Sequence, residues 1–310
     1  MPNTTPAVFV ERRCPACNAE EHSIVLQIVV TDFASANPTY DHDRLAELGI
    51  ALDTLCPIVR CVRCAFMYSP YHLDDESAVF LYEQVIDHDR SREKIYTRWK
   101  RMRMLSIWRD LFEFATVNRS DCKLSVLDFG CGWGDFLSVA RAPGVNVCGI
   151  ETDRKKLEWC REQGLNVVST QAEVDAIAPF DVVFCDQVLE HVNAPLETAR
   201  LFVACLKPGG VAFVSVPHCT MTELDTASAA LSRGELISKD YNPWEHLNYF
   251  SPDSLAGMLQ TAGFEILNPG ATVKRTWYQR LLGSGRHDCA RGSLAVSTSL
   301  YCRKPLTGSV

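Results

Sequence analysis

The sequence predicts an α/β fold built on a parallel sheet, and three observations carry that prediction. Between positions 124 and 216, short β-branched runs alternate with helix-length amphipathic segments, as strand–helix–strand crossovers require. The first run passes through Asp128-Phe129 into Gly130-Cys131-Gly132-Trp133-Gly134 and then into a helical pattern. A second strand, 145–150, is followed at once by an acid, Glu151.

The chain opens on two C-x2-C turns, Cys14-Pro15-Ala16-Cys17 and Cys61-Val62-Arg63-Cys64. Each turn presents two thiolates, and two such turns complete a tetrahedral Zn2+ site with no open position, hence a structural one. Disulfides or four unrelated core thiols are the alternatives. A reducing compartment argues against the first and the repeated spacing against the second. Cys56 and His22 are spare ligands. The remaining cysteines of the 14 are scattered and read as small apolar residues. Between the turns, 23–30 reads as a strand and 41–48 as a short helix or loop.

Segment 73–85 is acidic and aromatic, with Phe80, Leu81, Tyr82 and Val85 at helical spacing. Segment 91–117 is the longest helical pattern, apolar on one face and basic on the other. The cations between 90 and 109, Arg90, Arg92, Lys94, Arg98, Lys100, Arg101, Arg103 and Arg109, read as a solvated face ahead of an anion site. The core then follows: strands at 124–129, 145–150, 166–169, 181–185 and 211–216, with helices at 153–163 and 195–206. Lys207-Pro208-Gly209-Gly210 should stop the last of these helices. Segment 217–250 has weak periodicity and reads as a lid. A helix capped by Ser251-Pro252 runs to Gly263, and strands at 264–267 and 294–301 close the sheet as an antiparallel pair flanking 272–278. The resulting division is 1–70 zinc-ribbon-like module, 71–119 helical linker or lid, 120–302 main domain with the 217–250 lid insertion, and 303–310 tail.

The totals set limits on function. At 310 residues and 47% hydrophobic, the chain supports one full α/β domain plus an appendage. No apolar run approaches the ~20 residues of a membrane helix. The first residues have neither a positive nor an apolar leader region, so a cytoplasmic location without membrane association is expected. A net charge of -7 argues against a nucleic-acid partner.

The glycine turn is where the chemistry concentrates. Its spacing is neither that of a P-loop nor that of the dinucleotide fingerprint. Glycine there permits positive φ and lets a ligand approach the backbone, so strand, turn and helix form a platform for an adenosine-bearing ligand. Asp128 would repel a pyrophosphate and suit a cation. Glu151 can accept both ribose hydroxyls, with Asp153 left to cap the following helix.

The Asp-x-Gly-x-Gly-x-Gly motif, Glu151, Phe180-Asp181-Val182-Val183, Leu189-Glu190-His191-Val192 and Leu206-Lys207-Pro208-Gly209-Gly210 together resemble the class I S-adenosylmethionine (SAM) methyltransferases. The resemblance covers about 120–302. It implies a Rossmann-like seven-stranded sheet and SAM held by Asp128, Gly130, Gly132, Gly134, Glu151, Ala172, Asp186 and Gln187. It also implies methyl transfer to a small-molecule acceptor. With the N-terminal cysteine module and Glu245-His246, the chain further resembles bacterial methyltransferases of sugar nucleotides and other biosynthetic intermediates. Their Tyr-x-Glu-His group supplies a base; here Pro243 stands in the tyrosine's place and Tyr241 two positions early. A second resemblance is to ubiquinone-pathway and small-RNA 2′-O-methyltransferases, whose Glu-x-x-Glu-His holds a divalent ion. This chain has Gln187-x-x-Glu190-His191, and an uncharged first ligand sets the expectation against a tight Mg2+ site.

Methyl transfer from a sulfonium asks the protein to align the nucleophile and take up a proton. His246, on the lid, is the leading base, with Glu245, His191, Glu190 and Tyr241 beside it. His191 could instead hold the loop after the fourth strand, and His246 could pack beside Trp244 and Tyr249. The rival functions are an RNA methyltransferase using the ribbon and a non-catalytic SAM- and zinc-binding protein.

Overall fold

The computed structural model describes residues 9–87, 92, 97–117, 123–267 and 297–306. The expected 272–278 segment, the start of the last strand, Cys122, Cys289, the leader region and the end of the tail lie outside them.

The N-terminal part is built from five short strands: β1 (Phe9–Glu11), β2 (His22–Leu26), β3 (Ile58–Cys61), β4 (Met67–Tyr68) and β5 (Tyr71–Leu73). β1 pairs antiparallel with β5, and β2, β3 and β4 form an antiparallel run. Short helices Val30–Ala34, His42–Ala46 and Asp75–Phe80 flank them, the last continuing as a π-helical turn, Leu81–Val85.

The larger sheet holds β6 (Leu124–Phe129), β7 (Val145–Ile150), β8 (Val167–Val168), β9 (Phe180–Asp186) and β10 (Leu206–Pro217). After β11 (Asn248–Tyr249) come β12 (Glu265–Ile266) and β13 (Ser297–Arg303). The seven-stranded order is β12-β13-β10-β9-β6-β7-β8, parallel except for β13, which runs antiparallel to both its neighbours. Strand order reverses between β6 and β9, so the ligand crevice of an open α/β sheet lies beyond their C-terminal ends. Those ends carry Asp128 and Asp186.

The Arg98–Thr116 helix buries Met104, Ile107 and Leu111 against Val126, Phe184 and Phe213 of the sheet. Phe184 stacks on Phe136 at 3.7 Å between ring centres. Helix Arg154–Glu162 is capped by Asp153, whose carboxylate accepts from Lys155 N and Lys156 N. The Pro195–Cys205 helix stops as expected before Lys207, but Lys207 to Gly210 then form part of β10, which shifts register between Leu206 and Val211.

Segment 217–250, expected as a weakly periodic insertion or lid, holds regular structure. It carries the helix Met221–Ser232 and then β11, which leaves the large sheet to pair with β4. Leu224, Ile237, Tyr241, Trp244 and Tyr249 pack with Ile28, Phe33, Ile58 and Leu81 in one apolar core. The insertion is thus folded into the N-terminal module, and its 240–246 stretch meets the loop after β9, where the Glu245 carbonyl contacts His191.

Candidate functional site

The glycine turn is held open by its own backbone. Gly130, Gly132 and Gly134 have φ of 71°, 55° and 81°, in the left-handed region. A Cβ on Gly134 would lie 2.3 Å from Leu165 Cδ1, so that glycine serves packing. A Cβ on Gly132 would meet nothing within 4 Å, which leaves space over the backbone for a ligand. Glu151 reaches this turn: one carboxylate oxygen accepts from Gly132 N at 2.9 Å, the other from Thr152 N at 2.8 Å and Asp153 N at 2.9 Å. Its side chain therefore spans the tips of β6 and β7. Asp128 is buried, and burial, reinforced by the charges of Asp186 and Glu151, holds its carboxyl well above the usual carboxylate range. A cation seated there would reverse that penalty.

At the end of β9, Asp186 makes a two-pronged ion pair with Arg103, both contacts 2.7 Å. Lys100, one turn earlier on the same helix, pairs with Asp135. Part of the basic face expected in solvent thus turns inward over the crevice. Gln187 takes a left-handed φ of 61°, a conformation that costs a non-glycine residue energy and recurs at ligand sites. Its amide donates to Ser215 Oγ at 3.3 Å, away from Glu190. Ala172 is exposed in the first turn of the Gln171–Ile177 helix.

Beyond Gln187 the chain brings Glu190, His191 and His246 together, their ligand atoms within 4.8 Å of one another. Glu190 is 1% exposed; among the described residues neither carboxylate oxygen has a hydrogen-bond partner, and Oε1 lies 3.8 Å from His191 Nε2. Burial pushes this carboxyl well above its ordinary range. His191 Nδ1 donates to the Glu245 carbonyl at 2.8 Å and His246 Nδ1 to the Asp240 carbonyl at 2.9 Å. A carbonyl only accepts, so both protons sit on Nδ1 and both Nε2 lone pairs are free to bind. Burial lowers His246 to about 4, and burial together with His246 lowers His191. Both rings stay neutral near pH 7. Two neutral imidazoles with backbone-fixed tautomers beside an orphaned carboxylate suit a divalent cation.

The remaining expected base residues sit otherwise. The Glu245 carboxylate accepts from Asn37 Nδ2 at 3.0 Å and Asn242 Nδ2 at 2.7 Å, tying it to the N-terminal module. Tyr241 is buried in the apolar core. The tyrosine that meets His191 is Tyr82, from the π-helical turn, with its hydroxyl 3.3 Å from Nδ1. Neither Tyr82 nor Arg103 could be singled out from the sequence; only the residue types were visible, without the packing that delivers them. A cavity of about 730 Å3 opens where the modules meet, walled by Tyr40, Glu83, Trp133, Lys155 and Trp159.

The four knuckle cysteines converge. Cys14 and Cys64 sulfurs lie 3.5 Å apart, and those of Cys17 and Cys61 3.6 Å. A tetrahedron with metal–sulfur bonds of about 2.3 Å has edges of about 3.8 Å, close to this spacing. The thiols fit a zinc ion.

A family model described as a methyltransferase domain matches residues 98–268, more than half of the chain. The ubiquinone biosynthesis O-methyltransferase of Ralstonia nicotianae is 34% identical over 154 residues, covering 45% of this chain and 62% of that protein. That of Bordetella avium is 31% identical over 153 residues, covering 45% and 61%. The chain thus spans about three-fifths of the length of these curated relatives. Among solved structures, the plantazolicin methyltransferase BamL in complex with a triazolic desmethylPZN analog and SAH aligns with a TM-score of 0.51 at 11% identity. That alignment covers 73% of this chain and 94% of BamL and is a likeness of fold. Among the described residues, no helix is long and apolar enough to cross a membrane. The strand order, the open glycine turn facing Glu151 and the family match agree, and the chain belongs to the class I SAM-dependent methyltransferases.

Proposed function

We propose that the protein O-methylates a small-molecule acceptor, with a divalent cation held by Glu190, His191 and His246. The observation that carries this reading is the buried Glu190 carboxylate, both oxygens unpartnered, beside two free imidazole lone pairs. The cation, when bound, supplies Lewis-acid activation of an acceptor hydroxyl. Two imidazoles and a carboxylate suit Mn2+, Fe2+, Co2+ or Zn2+ better than Mg2+. The resemblance to ubiquinone biosynthesis O-methyltransferases supports oxygen as the methylated atom.

SAM supplies an activated methyl group. On this reading Glu151 accepts the ribose hydroxyls while bracing the glycine turn, and Gly132 leaves room for the ligand. Asp128 balances the cofactor's positive charge. Arg103, released in part from Asp186, takes the cofactor carboxylate. Tyr82, whose hydroxyl meets His191 Nδ1, orders the acceptor's approach. Cys14, Cys17, Cys61 and Cys64 hold a structural zinc ion that keeps the N-terminal module folded over the crevice.

The experiment is methyl transfer from labelled SAM to phenols, nucleotide sugars and RNA, before and after chelation, with Mn2+ restored. Turnover should favour small hydroxyl acceptors, fall with chelator and return with Mn2+. Chelator-insensitive turnover abolished by His246→Asn would replace the cation with His246 Nε2 as the base. Label in RNA or on a sugar carbon would overturn the acceptor class.

A further inference from the structure

Arg12 stands two residues before the first knuckle cysteine, yet its side chain reaches the loop after β9. Nε donates to the Ser69 carbonyl at 2.8 Å and Nη1 to the Asn193 carbonyl at 3.0 Å. Nη2 donates to the Leu247 carbonyl and to Asn248 Oδ1, the latter at 3.0 Å. The guanidinium also lies 5.6 Å from the Tyr68 ring centre. Burial lowers its pKa only to about 10, so it stays charged near neutrality.

The groups that Arg12 fastens are the ones that hold Glu190 and His191. Asn248 Nδ2 donates to the Leu189 carbonyl at 2.8 Å and the Val192 carbonyl at 2.7 Å. The backbone N–H groups of Leu247 and Asn248 both donate to the Glu190 carbonyl, at 2.7 and 3.1 Å. Thus the carbonyls of residues 189, 190, 192 and 193 are satisfied by Arg12 or by the two residues it grips. Leu189 and Glu190 are buried, and a buried carbonyl left without a donor is costly, so this part of the loop keeps its shape while Asn248 and Leu247 are held in place. Only a planar guanidinium offers donors in three directions from one rigid head; lysine offers a point charge.

We propose that Arg12 is a positioning residue through which the N-terminal cysteine knuckle sets the geometry of the Glu190–His191 loop. The inference rests on the reading that Glu190 and His191 serve methyl transfer. It gives the knuckle a role in turnover as well as in stability. Asp128 on β6, Gly132 in the turn after it and Glu151 just past β7 lie outside this network, so cofactor binding is insulated from it.

The test is Arg12→Lys in the full-length, zinc-replete protein. Turnover should fall roughly 10–100-fold, as for partners that orient ligand residues from behind. The Mn2+ concentration for half-activation should rise, and excess Mn2+ should recover part of the turnover. SAM affinity by calorimetry should change less than about threefold, and zinc content should not change. A merely structural Arg12 would lower turnover and SAM affinity together with the folded fraction. Wild-type turnover in folded Arg12→Lys, or parallel loss of SAM affinity, overturns the proposal. Should Arg12→Lys not fold, Asn248→Ala decides by the same readouts, because it cuts the link to Leu189 and Val192 without touching the knuckle. His191→Asn separates the two levels: wild-type turnover there sinks the site reading, whereas its loss beside an active Arg12→Lys sinks the positioning role alone.

Discussion

Glu190→Gln distinguishes a metal site from a buried acid by the condition under which it matters. Without a cation, burial pushes the Glu190 carboxyl well above its ordinary range and favours the neutral acid, which Gln replaces with a neutral amide of the same shape. The cation-free variant should therefore melt within about 2 °C of the wild type, as for substitutions that change neither volume nor charge. With a cation, the wild-type side chain is an ionised ligand next to two imidazoles. Removing one partner of a buried charge pair costs about 3–5 kcal/mol, which is roughly 10²–10⁴-fold in ion affinity. Wild type at 100 times its Kd for Mn2+ should gain about 2.7 kcal/mol of stability, and the variant at the same concentration almost none. Mn2+ is the suitable probe because thiolates prefer softer ions, so it reports on the nitrogen and oxygen ligands and leaves the knuckle alone. Calorimetric titration and melting with and without Mn2+ measure both quantities. Equal Mn2+ isotherms for wild type and variant, or a wild-type melting temperature unmoved by millimolar Mn2+, would refute the reasoning.

Three further outcomes follow from the geometry. Glu151→Ala removes the acceptor for Gly132 N as well as the proposed ribose contact, and should weaken SAM binding by about 1.5–3 kcal/mol; unchanged calorimetric affinity would remove Glu151 from the site. Gly132→Ala and Gly134→Ala should separate, although both require positive φ. The first puts a methyl where the ligand lies and should abolish cofactor binding with a stability loss of about 1–2 kcal/mol. The second drives a methyl into Leu165 and should cost more stability, read as the larger fall in denaturation midpoint. Protein purified without added zinc should carry one zinc per chain, and Cys61→Ser should lower both zinc content and melting temperature; a folded, zinc-free wild type would dismiss the site.

Much of the fold was legible because it depends on short-range rules. The β-branched runs at β6 and β9 are buried along nearly their whole length, so they read as continuous apolar strands. Asp153, Ser251 and Gly263 mark helix ends through caps that involve only neighbouring residues. The N-terminal knuckles were visible for the same reason, each being a four-residue motif. Segment 217–250 was misleading because its apolar residues do not share one helical face; they are distributed between the Met221–Ser232 helix and a loop that packs Tyr241 and Trp244 into the N-terminal core.

By itself the sequence determined that the glycine turn, Asp128 and Glu151 meet: they come from two consecutive strand ends, and the parallel crossover brings those ends side by side. It likewise determined that four thiols could meet, since the paired spacing places two on each turn. Only the tertiary structure decided how the crevice is closed. Arg103 faces Asp186 across 83 residues of chain, Tyr82 meets His191 across 109, and Arg12 grips Asn248 across 236. His191 and His246 became a pair because β11 crosses to the N-terminal sheet and carries the chain just before it past the end of β9. Contacts of that range leave no local periodicity or spacing. Burial and hydrogen-bond satisfaction enforce them once the two modules dock, and neither exists before the chain has folded.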